Sequence, residues 1–238
     1  MSKTSQDNLK TGTPTWELIK PSWHLLIKNY EQVAFFFFLP GLIFILGSFY
    51  FSKAHLSLYH FLHHPKYSFN LITGLVLIFV WLIISIVNYA PSLYFRIEAV
   101  KQSGNAPSVF DCYKAAFKYI GRAWLSEILT VISISIGLLA LIIPGVIFFR
   151  SYILTPYYAV DNPKLTIKEL FKQSRGQSVL FSKYIYTTYL MIWFYNLIGV
   201  ILFGSFSLGS IGVELISYVV LFLPALRYMD IRTSSKRS

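Results

Sequence analysis

Three uncharged apolar runs, at residues 33–51, 71–87 and 184–203, restrict this chain to very few folds. A bilayer-spanning helix needs about 20 predominantly apolar residues. In water such runs would have to be covered by a polar shell, and the chain lacks the residues for one. Of its 238 residues 55% are hydrophobic and only 13% are charged, against roughly 25% charged in an average soluble domain. The sequence therefore predicts an all-α polytopic membrane protein.

Six transmembrane helices are expected. Span 1 covers about 33–51, with Pro40-Gly41 inside it, and span 2 about 71–95. A histidine-bearing loop is expected between them, at 53–70. Span 3 covers about 125–143 and is broken by Pro144-Gly145. Span 4, about 146–160, is short and carries Arg150. Spans 5 and 6, about 179–203 and 208–228, are joined by a tight Gly/Ser turn. Lysine and arginine concentrate on the cytoplasmic side of membrane proteins. With six spans and the N-terminus inside, the inner segments hold basic groups of four, five, five and four, whereas only Lys53 and Lys66 lie outside. A five-span arrangement scatters the same charges over both faces. The expectation is a multi-pass protein of a prokaryotic plasma membrane, with cytoplasmic termini. The net charge of +11 then points to anionic lipid headgroups and not to nucleic acid, because the cations flank apolar runs.

Within this frame one short pattern recurs. Glu17-Leu18-Ile19-Lys20, Asp111-Cys112-Tyr113-Lys114 and Glu169-Leu170-Phe171-Lys172 are each followed two residues later by a small residue: Ser22, Ala116 and Ser174. Each copy opens an amphipathic stretch and precedes enough apolar chain to enter the membrane and return. Ser108 with Asp111, and Thr166 with Glu169, have the spacing of a capping box, in which side chains and backbone N–H groups at a helix start satisfy one another. Pro91, Pro156 and Pro224 sit near the end of each second span, and Glu98, Asp161 and Asp230 follow them. The chain thus divides into three tandem units, about 13–103, 104–161 and 162–230, each an interfacial helix plus a helical hairpin. They form one transmembrane domain, 13–230, between a mobile tail at 1–12 and a basic tail at 231–238. In the first unit Pro21 is expected to kink the helix, and Trp16 and Trp23 suit headgroup depth.

Few residues point to chemistry. Cys112 is the only cysteine, which excludes an internal disulfide and any cysteine cluster. The glycine-rich stretch at 204–212 lacks the lysine and spacing of a phosphate loop. No nucleophile–base set is visible, so no catalytic residue and no cofactor are expected. His60 and His64 could share a helical face and bind a metal, although Pro65 would end any helix soon after, or could simply line an interfacial loop. Arg150 and Glu214 both fall in the outer half of the membrane, where a charge needs a partner or water. They are expected to pair, either as a polar site between helices or as a salt bridge fixing register. Lys20, Lys114, Lys118, Lys172 and Arg175 are the expected inner-face contacts to lipid or to a partner protein.

The stretch Leu141-Ile142-Ile143-Pro144-Gly145-Val146-Ile147-Phe148-Phe149-Arg150-Ser151-Tyr152, followed by Pro156 and the 169–174 helix, resembles a family of uncharacterised prokaryotic multi-span membrane proteins. That family includes the membrane domain fused to some glycerophosphodiester phosphodiesterases. The likeness covers most of 15–230. It implies the fold and no activity, because the hydrolytic domain has no counterpart here. The expected function is a non-enzymatic membrane protein whose basic helices bind anionic lipid or a partner. The alternative is a transporter or channel with a polar site near Arg150 and Glu214, for which ion or solute flux abolished by Glu214→Gln would discriminate.

Overall fold

A computed structural model describes residues 13–52, 65–103, 105–203 and 220–237. Among these every regular element is a helix: α1 (Thr15–Lys28), α2 (Tyr30–Val33), a π turn (Ala34–Phe38), α3 (Leu39–Ser52), α4 (Pro65–Lys101), α5 (Val109–Ala116), a 3-10 turn (Phe117–Tyr119), α6 (Ile120–Ala140), α7 (Ile142–Tyr152), α8 (Thr155–Asp161), α9 (Ile167–Leu180), α10 (Ser182–Phe203) and α11 (Leu223–Arg237). Three stretches are long and apolar enough to cross a membrane: Tyr30–Tyr50, Leu71–Lys101 and Val109–Ala140. At 1.5 Å rise per residue each matches or exceeds a hydrocarbon core of about 30 Å. The expected tail at 1–12 and the Gly/Ser turn lie outside the described residues.

The chain contacts form two compact bodies, Tyr30–Asn88 in one, Met1–Asn29 with Tyr89–Ser238 in the other. In the smaller body α3 packs on the first part of α4. A Cβ added to Gly47 would stand 3.1 Å from Leu77 Cβ, and the Phe44 and Trp81 rings lie 4.6 Å apart. The π turn falls where Pro40 can give no N–H to the Phe36 carbonyl, and the wider turn absorbs that missing bond.

The larger body has a core of Ala90, Leu93, Ile97, Ala116, Ala123, Leu154, Tyr158, Leu170, Ile185, Tyr228 and neighbours. Ala90, Ala116, Ala123, Ala159 and Ala225 sit among the large aliphatic and aromatic side chains of this core; where lipid supplies no hydrophobic drive, small residues let helices approach closely and gain packing. The α6–α7 hairpin shows this at its crossing. A Cβ on Gly137 would come within 2.9 Å of Gly145 Cα, and one on Gly145 within 2.8 Å of Leu138 N.

Several sequence expectations change in detail. The break after span 3 falls at Leu141, which is extended (φ −173°, ψ 155°), and not at Pro144-Gly145. Pro144 cannot donate to Ala140 and its ring would strike that carbonyl, so the helix ends before it and restarts with the proline in the first turn. The expected span 4 is two short helices, α7 and α8, interrupted at 153–154 just before Pro156. Within the expected 53–70 loop Pro65 is the first residue of α4, where its missing N–H costs nothing; residues 53–64, which would hold any helix it ends, lie outside the described residues. α4 also runs on to Lys101, past the expected end at 95.

Candidate functional site

The repeated pattern has one structural meaning in all three copies. Leu18, Cys112 and Leu170 are buried, and so are Ser22, Ala116 and Ser174 four residues on. Residues four apart share a helix face. The lysine midway between them must therefore point away from that face, and Lys20, Lys114 and Lys172 are indeed exposed. The buried small residue lets each helix sit close to the bundle; Ser174 Oγ also donates to Ser151 O at 2.8 Å. Local capping starts two of the helices. Thr166 and Glu169 complete a capping box, and hydrogen bonds from the Thr166 backbone and hydroxyl hold the exposed Glu169 carboxyl below its ordinary pKa. Ser108 Oγ accepts from Asp111 N. The first copy has no side-chain cap at its start. Lys118 lies over the Tyr119 ring at 4.9 Å and is exposed, as is Arg175. None of the four ion pairs among the described residues uses any of these five cations.

Those four ion pairs use all three acids that follow the sequence's marker prolines. Asp161, whose side chain is 3% exposed, accepts from Lys101 Nζ at 2.8 Å, from Tyr228 Oη at 2.6 Å and from Arg232. Lys101 also reaches Glu98 at 2.7 Å. Burial pushes the Asp161 carboxyl up, but hydrogen bonds from Lys101 and Tyr228, with the charges of Lys101 and Arg232, outweigh it and leave its pKa below 3.8. A cavity of about 190 Å³ opens beside this knot, lined by Tyr94, Glu98, Lys101, Tyr119 and Asp161.

Asp230 is held by Arg227, whose side chain is fully buried. Its Nη1 donates to Asp230 Oδ2 and to Thr13 O, both at 2.7 Å. Its Nη2 donates to Thr15 Oγ1 and its Nε to Thr188 Oγ1, each at 2.9 Å. The Tyr184 ring lies 5.2 Å from the guanidinium. One side chain thus joins α11, α10 and the start of α1. The sequence marks Arg227, Lys101 and Arg232 only as inner-side charges; the structure places each in an ion pair within the protein.

A polar contact inside the apolar region was also missed. Glu127, on α6, accepts from Tyr89 Oη at 2.7 Å, and Tyr89 packs on Trp124 at 4.9 Å. Glu127 lies within the expected span 3, where an acid in so apolar a stretch was the available signal. Arg96 stands 5.5 Å over the Tyr157 ring nearby in the same core. Arg150 is on α7, with its Nε buried and without a hydrogen-bond partner. Glu214, His60 and His64 lie outside the described residues, and among the described residues no group of three His, Cys, Asp or Glu is placed to hold a metal. Compared with protein-family models, curated proteins and solved structures, the chain gives no match.

Proposed function

We propose that this chain is a non-enzymatic integral membrane protein that crosses the bilayer six times, with both termini cytoplasmic, and binds anionic lipid through three equivalent amphipathic helices on its inner face. The observation that carries this reading is the repeated burial pattern around Lys20, Lys114 and Lys172. Three helices seal one face to the bundle and turn a lysine outward, and no ion pair among the described residues takes up that charge. The exposed Trp16 and Trp23 on α1 suit headgroup depth. An acidic surface on a membrane protein partner would meet the same cations, and the lipid reading is preferred because the charges are spread along the whole inner face. The family resemblance is proposed as a likeness of fold alone.

A lysine near an anionic surface contributes about 1 kcal/mol, so replacing these three by glutamine should cost about 3 kcal/mol, roughly 150-fold in anionic-lipid preference. The measurement is enrichment of phosphatidylglycerol over phosphatidylcholine around the protein in nanodiscs, read against salt. Enrichment should fall with salt and with the triple substitution. Enrichment indifferent to both would refute the proposal.

A further inference from the structure

The three helices that share the repeated pattern are alike in what they bury and unlike in what they expose. Residues at i, i+4 and i+7 lie on one helix face. On α1 that face holds Trp16, Lys20 and Trp23, opposite the buried Leu18, Ser22 and Leu25, and the two rings are 68% and 47% exposed. On α5 the matching positions are Phe110, Lys114 and Phe117, opposite the buried Cys112 and Ala116, and the rings are 76% and 74% exposed. Phe117 keeps the helical register just past the end of α5 (φ −52°, ψ −44°). On α9 the same three positions are Lys168, Lys172 and Arg175, all exposed, opposite the buried Leu170, Ser174 and Ser178. Two helices thus present ring, lysine, ring; the third presents three cations.

A lysine set between two exposed rings matches the boundary of a phospholipid leaflet. There an amphipathic helix sinks its apolar groups about 5–10 Å among headgroups and acyl chains. The lysine stem lies along the same surface, and its ammonium reaches the phosphates. The position of α5 agrees. α6 has 21 residues, about 32 Å of helix, which fills a hydrocarbon core of about 30 Å. Val109–Tyr119, which precede it, are left at the edge of that core. An acidic soluble protein would meet the lysines, but it gives no reason for the same pair of rings on two separate helices. We infer that α1 and α5 insert these stripes into the inner leaflet, rings at the headgroup–acyl boundary and lysine at the phosphates, whereas the α9 face stays in water and is drawn to the leaflet by charge alone. This deepens the reading of the inner face as a lipid-binding surface and rests on its orientation of α1 and α5.

Nitroxide labels read the difference. Cys112, the only cysteine, is replaced by alanine, and one cysteine is introduced in each of Trp16→Cys, Trp23→Cys, Phe110→Cys, Phe117→Cys, Lys168→Cys and Arg175→Cys. Each labelled full chain is placed in vesicles of phosphatidylglycerol and phosphatidylcholine. Oxygen concentrates among acyl chains and a water-soluble nickel chelate stays outside them, so their relative collision rates with the label report depth. Oxygen should dominate at 16, 23, 110 and 117, and the nickel chelate at 168 and 175. All six positions are exposed, so each thermal midpoint should equal that of Cys112→Ala, which identifies a folded variant. Three results overturn the proposal: nickel dominating at 110 and 117 as it does at 168 and 175; labels at 110 and 117 that neither reagent reaches, because another protein surface covers the stripe; or oxygen dominating at 168 and 175. If phosphatidylglycerol enrichment still falls with salt after such a result, the inner-face reading stands and only the insertion fails. If the expected depths are found in vesicles of either lipid while enrichment is indifferent to salt, the insertion stands and the anionic-lipid reading fails.

Discussion

Arg227→Met should be among the most damaging conservative-volume changes in the larger body. The guanidinium is fully buried and makes four hydrogen bonds, to Thr13 O, Thr15, Thr188 and Asp230. Removing one partner of a buried ion pair costs about 3–5 kcal/mol when the other charge is stranded. Asp230 is not fully stranded here. Its carboxylate keeps two donors from Thr13, the N–H at 3.0 Å and the hydroxyl at 2.8 Å, and its side chain is 15% exposed. The Thr13 carbonyl and the Thr15 hydroxyl do lose their donors, and methionine fills the volume without replacing them. The low end, about 3 kcal/mol, is therefore expected, which for a chain of this length lowers the thermal midpoint by about 6–12 °C. The assay is built in. Cys112 is the only cysteine and is buried, so a thiol-reactive dye reports unfolding without any added label. Arg227→Lys should recover only part of the loss, because an ammonium cannot reproduce the planar fork. Combining Arg227→Met with Asp230→Asn should cost less than the two single changes added. A midpoint shift under about 2 °C for Arg227→Met, or strict additivity in the double variant, would refute the hub.

The same dye assay tests two further points. The Asp161 carboxyl has a folded pKa below 3.8; a depressed carboxylate stabilises fully above its unfolded pKa and loses that contribution as pH falls through the folded value. Wild type should therefore exceed Asp161→Asn in midpoint at pH 6, and the gap should close below about pH 4; a gap that widens on acidification would contradict the pairing with Lys101 and Arg232. At the hairpin crossing Gly145→Ala should destabilise, since the new Cβ meets Leu138 backbone, whereas Gly176→Ala, with nothing within 4 Å, should stabilise by about 0.5–1 kcal/mol; equal effects at the two sites would show that the helices do not cross there.

Apolar run length made the helical class and the approximate positions of the first three spans readable, because bilayer thickness translates directly into residues. The periodic positions were readable too. The acid-x-x-lysine pattern marks which face each helix buries, since the hydrophobe after the acid and the small residue after the lysine are one turn apart. What run length could not settle was where a helix stops near proline. Pro144 sits in the first turn of the following helix, so it marks a beginning where the sequence suggests a break. Nor could it separate cations left exposed from cations paired inside. Lys101, Arg227 and Arg232 flank apolar runs just as Lys114 and Lys172 do. The difference lies in which acid or hydroxyl a distant helix brings alongside, and Asp161 and Thr188 are 60 and 39 residues from their partners.

That distinction explains how distant helices of the larger body are held together. Glu98, Asp161 and Asp230 each follow a marker proline, and an acid paired only with its near neighbours would link nothing distant. Asp161 instead takes Lys101 from α4 and Arg232 and Tyr228 from α11, while Arg227 reaches Thr13 and Thr15 at the start of α1. These contacts tie α11 to α4, α8 and the start of α1. In lipid, where apolar packing alone gives helices little preference for one another over acyl chains, directional polar links of this kind can fix which helices meet. Among the described residues no ion pair takes up the outward lysines at 20, 114 and 172, and exposed charge of that kind is what an anionic surface can draw on.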